Sequence, residues 1–372
     1  MPAYLDHAAS SPLRPEALEA MMPWFSEQHA NPTASHRRGR RARQALDDAR
    51  SVIGQATGFA RGEIVFTGGG TESDNLAIGR GHGPQTIVVG ATEHPAILEP
   101  AQLQGAAVAK ANGHGVVSVD AVLAHVTPDT SVVSVMAVNN ELGVVQSIRD
   151  IAAAVHEVAP AALVHSDAVQ ALPWLDLACA TEGVDMLSVT GHKLGGPQGV
   201  GAVAVRDGSM PEPLLVGGGQ ERERRAGTQN VAGIVGFAAA VQAAMDDREQ
   251  RLARIERHGS RLLEGLTSSI DGLLPTVPRE LRVPGIVHVL VPGVQSEPLL
   301  FLLDQQDVAC SAASSCASGA QGASHVLSAM NLDTSGCAPL RLSLGWSTTD
   351  EDIDTALDVI PQAVAQLQEA SR

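Results

Sequence analysis

Lysine is almost missing from this chain. Of 25 basic residues in 372, only Lys110 and Lys193 are lysine; the rest are arginine. Ordinary surface charge is thus made with arginine. A lysine set in the glycine-rich stretch "SVTGHKLGGPQGVG" (188–201) points to amine chemistry rather than solubility. Acidic residues outnumber basic ones, 41 to 25, and the formal charge of −16 argues against a general nucleic-acid or membrane-surface binder. Aromatic residues are scarce, at 2%, so alanine, valine and leucine must fill the interior. There is no run of about 18 apolar residues and no basic segment leading into an apolar one, so neither a spanning helix nor a secretory leader is expected, and a cytoplasmic location is. The four cysteines are too few and too scattered for a disulfide framework, and none forms the CxxC pair of a zinc site. Cys179, Cys310 and Cys337 are expected to be small buried hydrophobes; Cys316 is considered below.

What is present is an alternation of short apolar runs with helical patterns. Stretches 63–67, 86–90, 131–138, 162–167, 186–190 and 201–205 are valine-rich and lack polar alternation, as strands buried on both faces do. Segments such as 148–158 are long enough to be crossover helices. Together they predict an α/β fold with a doubly wound, mostly parallel sheet. A helical stretch from about 230 to 267 leaves that region, with a domain boundary expected near residue 250. Two further strands, 286–291 and 340–345, follow. The last helix starts at Thr348–Thr349, carries the apolar stripe Ile353, Leu357, Ile360, Val364 and Leu367, and is expected to kink at Pro361. The length suits two or so domains of roughly 100–200 residues each.

Three motifs carry chemistry. In "FTGGGTESDN" (66–75) a strand ends, three glycines follow, and Thr71–Glu72–Ser73 begins a helix. Glycines allow close backbone approach and a helix N-terminus offers free N–H groups, which suits a phosphate; a tight β–α turn is the alternative. Neither a Walker A pattern nor a GxGxxG turn after the first strand occurs, which disfavours nucleotides. In "HSDAVQ" (165–170), Asp167 ends an apolar strand, either as a helix N-cap or as partner to a bound cation. In the lysine stretch, Lys193 follows a strand. An amine in a low-dielectric pocket has a lowered pKa and becomes nucleophilic, as Schiff-base chemistry requires. His192 either bonds a phosphate or is an ordinary satisfied histidine. A phosphate cradle, a strand-end aspartate and a desolvated lysine are the three anchors of pyridoxal phosphate.

Those motifs, together with "YLDHAASSPL", "ANPTASHRRGR", "TEHPAIL", "VNNELGVVQ", "GGGQERERRAGTQN", "CSAASSCASG" and "LRLSLG", occur in the order and over nearly the whole length of one family. The chain resembles the cysteine desulfurases of the class V aminotransferase-like, fold type I group, which supply sulfur for iron–sulfur clusters. The resemblance implies a large cofactor domain (12–250) with a mostly parallel seven-stranded sheet flanked by helices. It also implies a smaller α+β domain (1–11 with 251–372) carrying a mobile cysteine loop at about 309–325. It implies that Lys193 binds pyridoxal phosphate covalently and shuttles a proton, and that Asp167 pairs with the ring nitrogen. Gln170 would donate to the ring oxygen and His94 would stack on the ring and move protons. Thr71, Glu72, Thr190 and His192 would surround the phosphate, and Thr228 would reach the phosphate of a second subunit in a homodimer with shared sites. Arg341 would fork the substrate carboxylate, assisted by Asn31 and Asn140; from its residues alone Arg341 reads as a strand-edge surface charge, and His94 as a capping histidine. Cys316 would be the nucleophile that takes sulfur from L-cysteine as a persulfide, releasing L-alanine, and passes it to an iron–sulfur scaffold or thiolation enzyme. Its small-residue surroundings, 311–324, fit a thiol that must travel.

Departures from the family pattern are few. Ala313 and Ser315 stand where glycine and alanine are usual, Thr190 where serine is common, Ala226 for a usual serine, and Trp346 where a polar residue is more usual. Another fold type I enzyme, such as a selenocysteine lyase or an aminotransferase, is the alternative activity; an aminotransferase would not need Cys316. A sulfur-relay protein with a decayed site is a third reading. The arginines of 37–43 read as a solvated helix face, and the acidic whole argues against direct nucleic-acid contact.

Overall fold

In a computed structural model the described residues are 2–79, 86–209, 211–312 and 324–370. Cys316 and most of the expected 309–325 loop lie outside them. The strands in chain order are β1 (Ala3–Tyr4), β2 (Ile64–Thr67), β3 (Ile87–Gly90), β4 (Ala107–Ala109), β5 (Val132–Ser134), β6 (Leu163–Asp167), β7 (Met186–Thr190) and β8 (Gly201–Val205). After them come β9 (Leu274–Pro275), β10 (Ile286–Pro292), β11 (Val308–Ala309) and β12 (Cys337–Ser343). A seven-stranded sheet runs β2-β8-β7-β6-β5-β3-β4. Its pairs are parallel except those of β8, which is antiparallel to both β7 and β2. β5 to β8 are buried along nearly their whole length, which is why their sequences show valine and alanine runs and no polar alternation.

Helices cover the sheet with apolar stripes. Ile148–Val158 buries Ile148, Ile151, Ala152 and Val155, one face at helical spacing. Arg37–Thr57 buries Ala42, Leu46, Ala49 and Ile53, and stops at Gly58, whose φ of 76° is the left-handed cap glycine tolerates best. Val231–Asp246 is apolar around most of its circumference because it packs against both Arg37–Thr57 and the N-terminal helix Pro15–Phe25. The antiparallel sheet β12-β10-β9 lies late in the chain, and β1 pairs in parallel with β11. The N-terminal strand is thereby built into structure made by residues near 308. Among the described residues no helix is long and apolar enough to cross a membrane.

Three expectations need correction. The strand expected over 131–138 is regular only over Val132–Ser134: beyond it the chain still bonds β6 (Val135 N–H to His165 O, 3.2 Å; Ala137 N–H to Asp167 O, 2.9 Å), while β3 on the other side has ended at Gly90. The helical stretch over 230–267 is two helices, Val231–Asp246 and Arg248–Ser269, broken at Asp247. The Asp247 carboxylate there receives Arg14 Nη2 (2.9 Å) and Arg251 Nε (2.8 Å). Cys179 is exposed, and Cys310 and Cys337 are half-buried, so none of the three is the fully buried thiol expected. Burial still pushes the Cys310 thiol up to about 12, which makes it a poor nucleophile.

Candidate active site

The C-terminal ends of β6 and β7 open into a cavity of about 310 Å³. In open α/β sheets this rim is where ligands bind. Asp167 is the last residue of β6 and is 5% exposed. Its Oδ1 accepts the Val169 N–H at 2.8 Å. Burial pushes its pKa up to about 6, against the pull of that N–H and of Lys193. Lys193, three residues past β7, donates from Nζ to the carbonyls of Ala8 (2.6 Å) and Ala9 (2.9 Å). Gln170 Nε2 donates to the same Ala8 carbonyl at 3.2 Å. The N-terminal segment thus roofs the site.

That roof is braced. Arg14 donates from Nε to Leu194 O at 3.1 Å, and its backbone N–H bonds Gly195 O at 2.8 Å. Its guanidinium lies 5.2 Å from the centre of the Trp346 ring, and Trp346 Nε1 donates to Pro12 O at 2.9 Å. The unusual Trp346 therefore has a structural account: it stacks on the arginine that holds the lysine loop.

Opposite Lys193 lies the glycine loop. The helix Gly70–Ile78 starts after Gly69, whose φ of 149° is open to glycine alone, and a Cβ at Gly70 would stand 2.8 Å from Val169 Cγ2. Gly70 and Thr71 line the cavity, with the helix N–H groups at its edge. Thr190 lines it as well, but its hydroxyl proton goes to Val200 O at 2.9 Å, so it can only accept from a ligand. His192 meets Ser10 Oγ at 3.3 Å, and burial, then Lys193, pushes its pKa down to about 4. Glu72 is not on this cavity but lines an adjoining one with Gly70, Thr71, Thr190 and His192; it forks Arg225 (2.8 and 3.2 Å) and accepts the Gly68 N–H at 2.7 Å, which fixes the glycine loop.

The capping reading of His94 holds. It lines the cavity and also caps the helix Pro95–Gln102, its Nδ1 accepting the Ala96 N–H at 3.1 Å. Burial, Lys193 and His325 push its pKa down to about 4. The ring is thus neutral near pH 7, and with Nδ1 occupied its proton sits on Nε2.

At the far end Arg341, on β12, is 4% exposed, which overturns the surface-charge reading. Nη2 pairs with Asp6 at 2.7 Å and Nη1 donates to Asn140 O at 3.0 Å, while Nε has no hydrogen-bond partner among the described residues. Asn140 lines the cavity. Asn31 and Thr228 are exposed and outside it; Asn31 Oδ1 serves its own turn, accepting from Thr33. Local sequence had no signal for Asp6, nor for Asp74, a fully buried acid that also lines the cavity.

The residues present fit pyridoxal phosphate. An amine, a buried carboxylate for a cationic ring nitrogen, and a helix start at Gly70, where a Cβ would press on Val169, converge on one cavity. The fold and site define a class, and the chain belongs to it: the aminotransferase class-V family matches residues 3–356. This family is pyridoxal-phosphate-dependent and of fold type I. Among its relatives is the IscS-like cysteine desulfurase of Mycobacterium tuberculosis, 39% identical over 389 residues, 99% of this chain and 98% of that one. The cysteine desulfurase of Gluconacetobacter diazotrophicus is 37% identical over 380 residues, covering 99% and 94%. A solved NifS-like protein superposes with a TM-score of 0.91 at 31% identity, covering 99% of this chain and all 100% of that one.

Proposed function

We infer that this chain is a pyridoxal-phosphate-dependent cysteine desulfurase, converting L-cysteine to L-alanine while an enzyme thiol becomes a persulfide. The observation that carries it is the convergence of Lys193, Asp167 and buried Arg341 on one cavity of about 310 Å³. Lys193 would hold the cofactor aldehyde, Asp167 its ring nitrogen, Gln170 its ring oxygen, and Thr71 with the helix start its phosphate. His94 would lie against the ring and donate from Nε2. Bound there, the cofactor supplies an electron sink that acidifies the Cα–H of an amino acid joined to it.

Arg341 forks the substrate carboxylate beside Asn140, which aims Cα at the lysine. Lys193 Nζ takes the Cα proton. Nearby His94 and His192, neutral near pH 7, leave that amine without cationic competitors. Cys316, as thiolate, attacks the substrate sulfur; its S–S bond forms as the substrate C–S bond breaks, so L-cysteine and a thiol give L-alanine and a persulfide. The persulfide then passes to an acceptor for iron–sulfur cluster assembly or thiolation.

The active unit in this reading is a homodimer, supported by exposed Thr228, which would reach the partner subunit's phosphate. The acidic charge and scarce cysteines support a cytoplasmic location. The pairing of β1 with β11 supports a division into 12–250 and 1–11 with 251–372. The test is direct: alanine and persulfide formed from L-cysteine by the wild type and by Cys316→Ala. The variant should lose both. Full activity in Cys316→Ala would defeat the desulfurase reading in favour of an enzyme without a thiol nucleophile.

A further inference from the structure

Behind the carboxylate that faces the ring nitrogen stands a second one. Asp74, in the helix Gly70–Ile78, is 2% exposed and lines the same cavity as Asp167. Its Oδ1 has no hydrogen-bond partner among the described residues. Its one ion-pair contact there is His165 Nε2, at 3.9 Å, and burial pushes that imidazole down to about 3, so it is neutral and gives no countercharge. The Ser188 hydroxyl is a hydrogen-bond partner of Asp74 and pulls its pKa down, against the larger push of burial and Asp167. Ser188 Oγ lies 2.9 Å from His165 Nε2, and His165 Nδ1 lies 2.9 Å from Ser134 Oγ. With the His165 proton on Nε2 the chain runs in one sense, Ser134 O–H to Nδ1, Nε2–H to Ser188 Oγ and Ser188 O–H to Asp74.

An isolated carboxylate at this depth is strongly disfavoured, and two facing carboxylates more so. The groups around Asp74 are Asp167 and His165 on β6, and Glu93 before the helix Pro95–Gln102; Glu99 on that helix is exposed. β7 brings Ser188, and Lys193 lies beyond its end, acting on Asp167. Asp167 has the Val169 N–H and the Lys193 charge to hold it ionised; Asp74 has only the neutral Ser188 hydroxyl. Burial, then the charge of Asp167, holds the Asp74 carboxyl well above the usual carboxylate range, and Glu93 is raised the same way.

We propose that Asp74 is a positioning residue for the ring-nitrogen partner: a neutral carboxylic acid, held by the Ser134–His165–Ser188 chain, that leaves Asp167 as the anion of the pair. This rests on the cofactor reading above. The working form of Asp74 is the protonated one, so an amide replaces it well and a hydrocarbon does not.

Two measurements test it. The first needs no cofactor. The infrared difference spectrum between stripped wild type and Asp74→Asn at neutral pH should show the carbonyl stretch of a protonated acid in the wild type alone; Glu93 cancels because both proteins hold it. In the difference spectrum that stretch should persist above neutral pH and fade only over the alkaline range in which the wild-type visible band moves. Its absence at neutral pH overturns the proposal, even if Asp74→Asn fails to fold. The second uses pyridoxal phosphate with stripped protein. Asp74→Asn should bind within about threefold of wild type with its visible band unmoved at neutral pH, and Asp74→Leu at least about tenfold more weakly. The wild-type band should move at alkaline pH, and that step should vanish in Asp74→Asn. Equal loss in both variants at neutral pH would mean a charged Asp74 and overturn the proposal. Failure of the wild type itself to bind pyridoxal phosphate would instead overturn the functional reading, with the infrared result still deciding Asp74.

Discussion

The two ends of the cavity hold their charges by different means. At the β12 end, Arg341 is compensated directly, by Asp6 at 2.7 Å and the Asn140 carbonyl at 3.0 Å. At the β6–β7 end, Asp167 has one backbone N–H and the nearby Lys193 charge, and the groups behind it are neutral: His165 driven down, Asp74 driven up. One end is built on pairing and the other on protonation. Pairing suits a site that receives a substrate carboxylate and lets it go. A pocket of neutral hydrogen-bonded groups suits one charge that must stay where it is.

The largest effect should come from breaking the paired end. Arg341→Leu removes the group proposed to fork the substrate carboxylate and leaves Asp6 uncovered. It should lower kcat/KM for L-cysteine by roughly 10³-fold, about 4 kcal/mol. Cofactor absorbance should survive, so a loss of bound cofactor would show that the two ends are not independent. Asp167→Asn strikes the other end. Losing one charge-assisted contact of about 1.5–3 kcal/mol should weaken pyridoxal phosphate binding about 10–100-fold. A titration finding no change would remove Asp167 from the ring-nitrogen role.

The protonation argument also fixes how stability responds to pH in the cofactor-free protein. Buried His7 and half-buried His94 and His192 are pushed down to about 4, and buried His165 and His288 to about 3. Unfolded, they take up protons near 6.5 that the folded state refuses, so stability falls as pH drops from 6.5 through 4. Asp167, Asp74 and Glu93 act oppositely. Their folded pKa values are raised, so stability falls as pH rises through about 6 for Asp167, and at higher pH for the other two. Thermal melts across pH should therefore show a maximum near neutrality. A flat profile on the alkaline side would mean the carboxyls are already ionised. The smallest effect belongs to Thr190→Val. Its hydroxyl proton serves Val200, so the change should cost about 1 kcal/mol of stability in urea melts and alter cofactor affinity by less than about threefold. A large affinity loss would return Thr190 to the phosphate.

Much of the site was legible because its signals are local. The glycine run before Thr71, the strand end at Asp167 and the lone lysine after β7 each need only a few neighbouring residues to be read, since strand and turn chemistry act over that range. The last helix was read the same way, from its cap and stripe. Features that failed were non-local. Arg341 looks exposed until Asp6, 335 positions away, is brought beside it. Asp74 looks like any polar residue in a helix until β6 and β7 close over it. The break at Asp247 depends on Arg14 arriving from the other end of the chain. Trp346 had no meaning before the same arginine lay on its face.

Residue chemistry and short-range patterning by themselves determined the βαβ architecture and the placing of an amine, an acid and a glycine-opened helix start at strand ends. The number of polar groups shut away from water, and which of them keep a charge, was decided only when the chain folded. Desolvation and charge–charge distance are properties of an assembled interior, and neither exists along a strand of sequence.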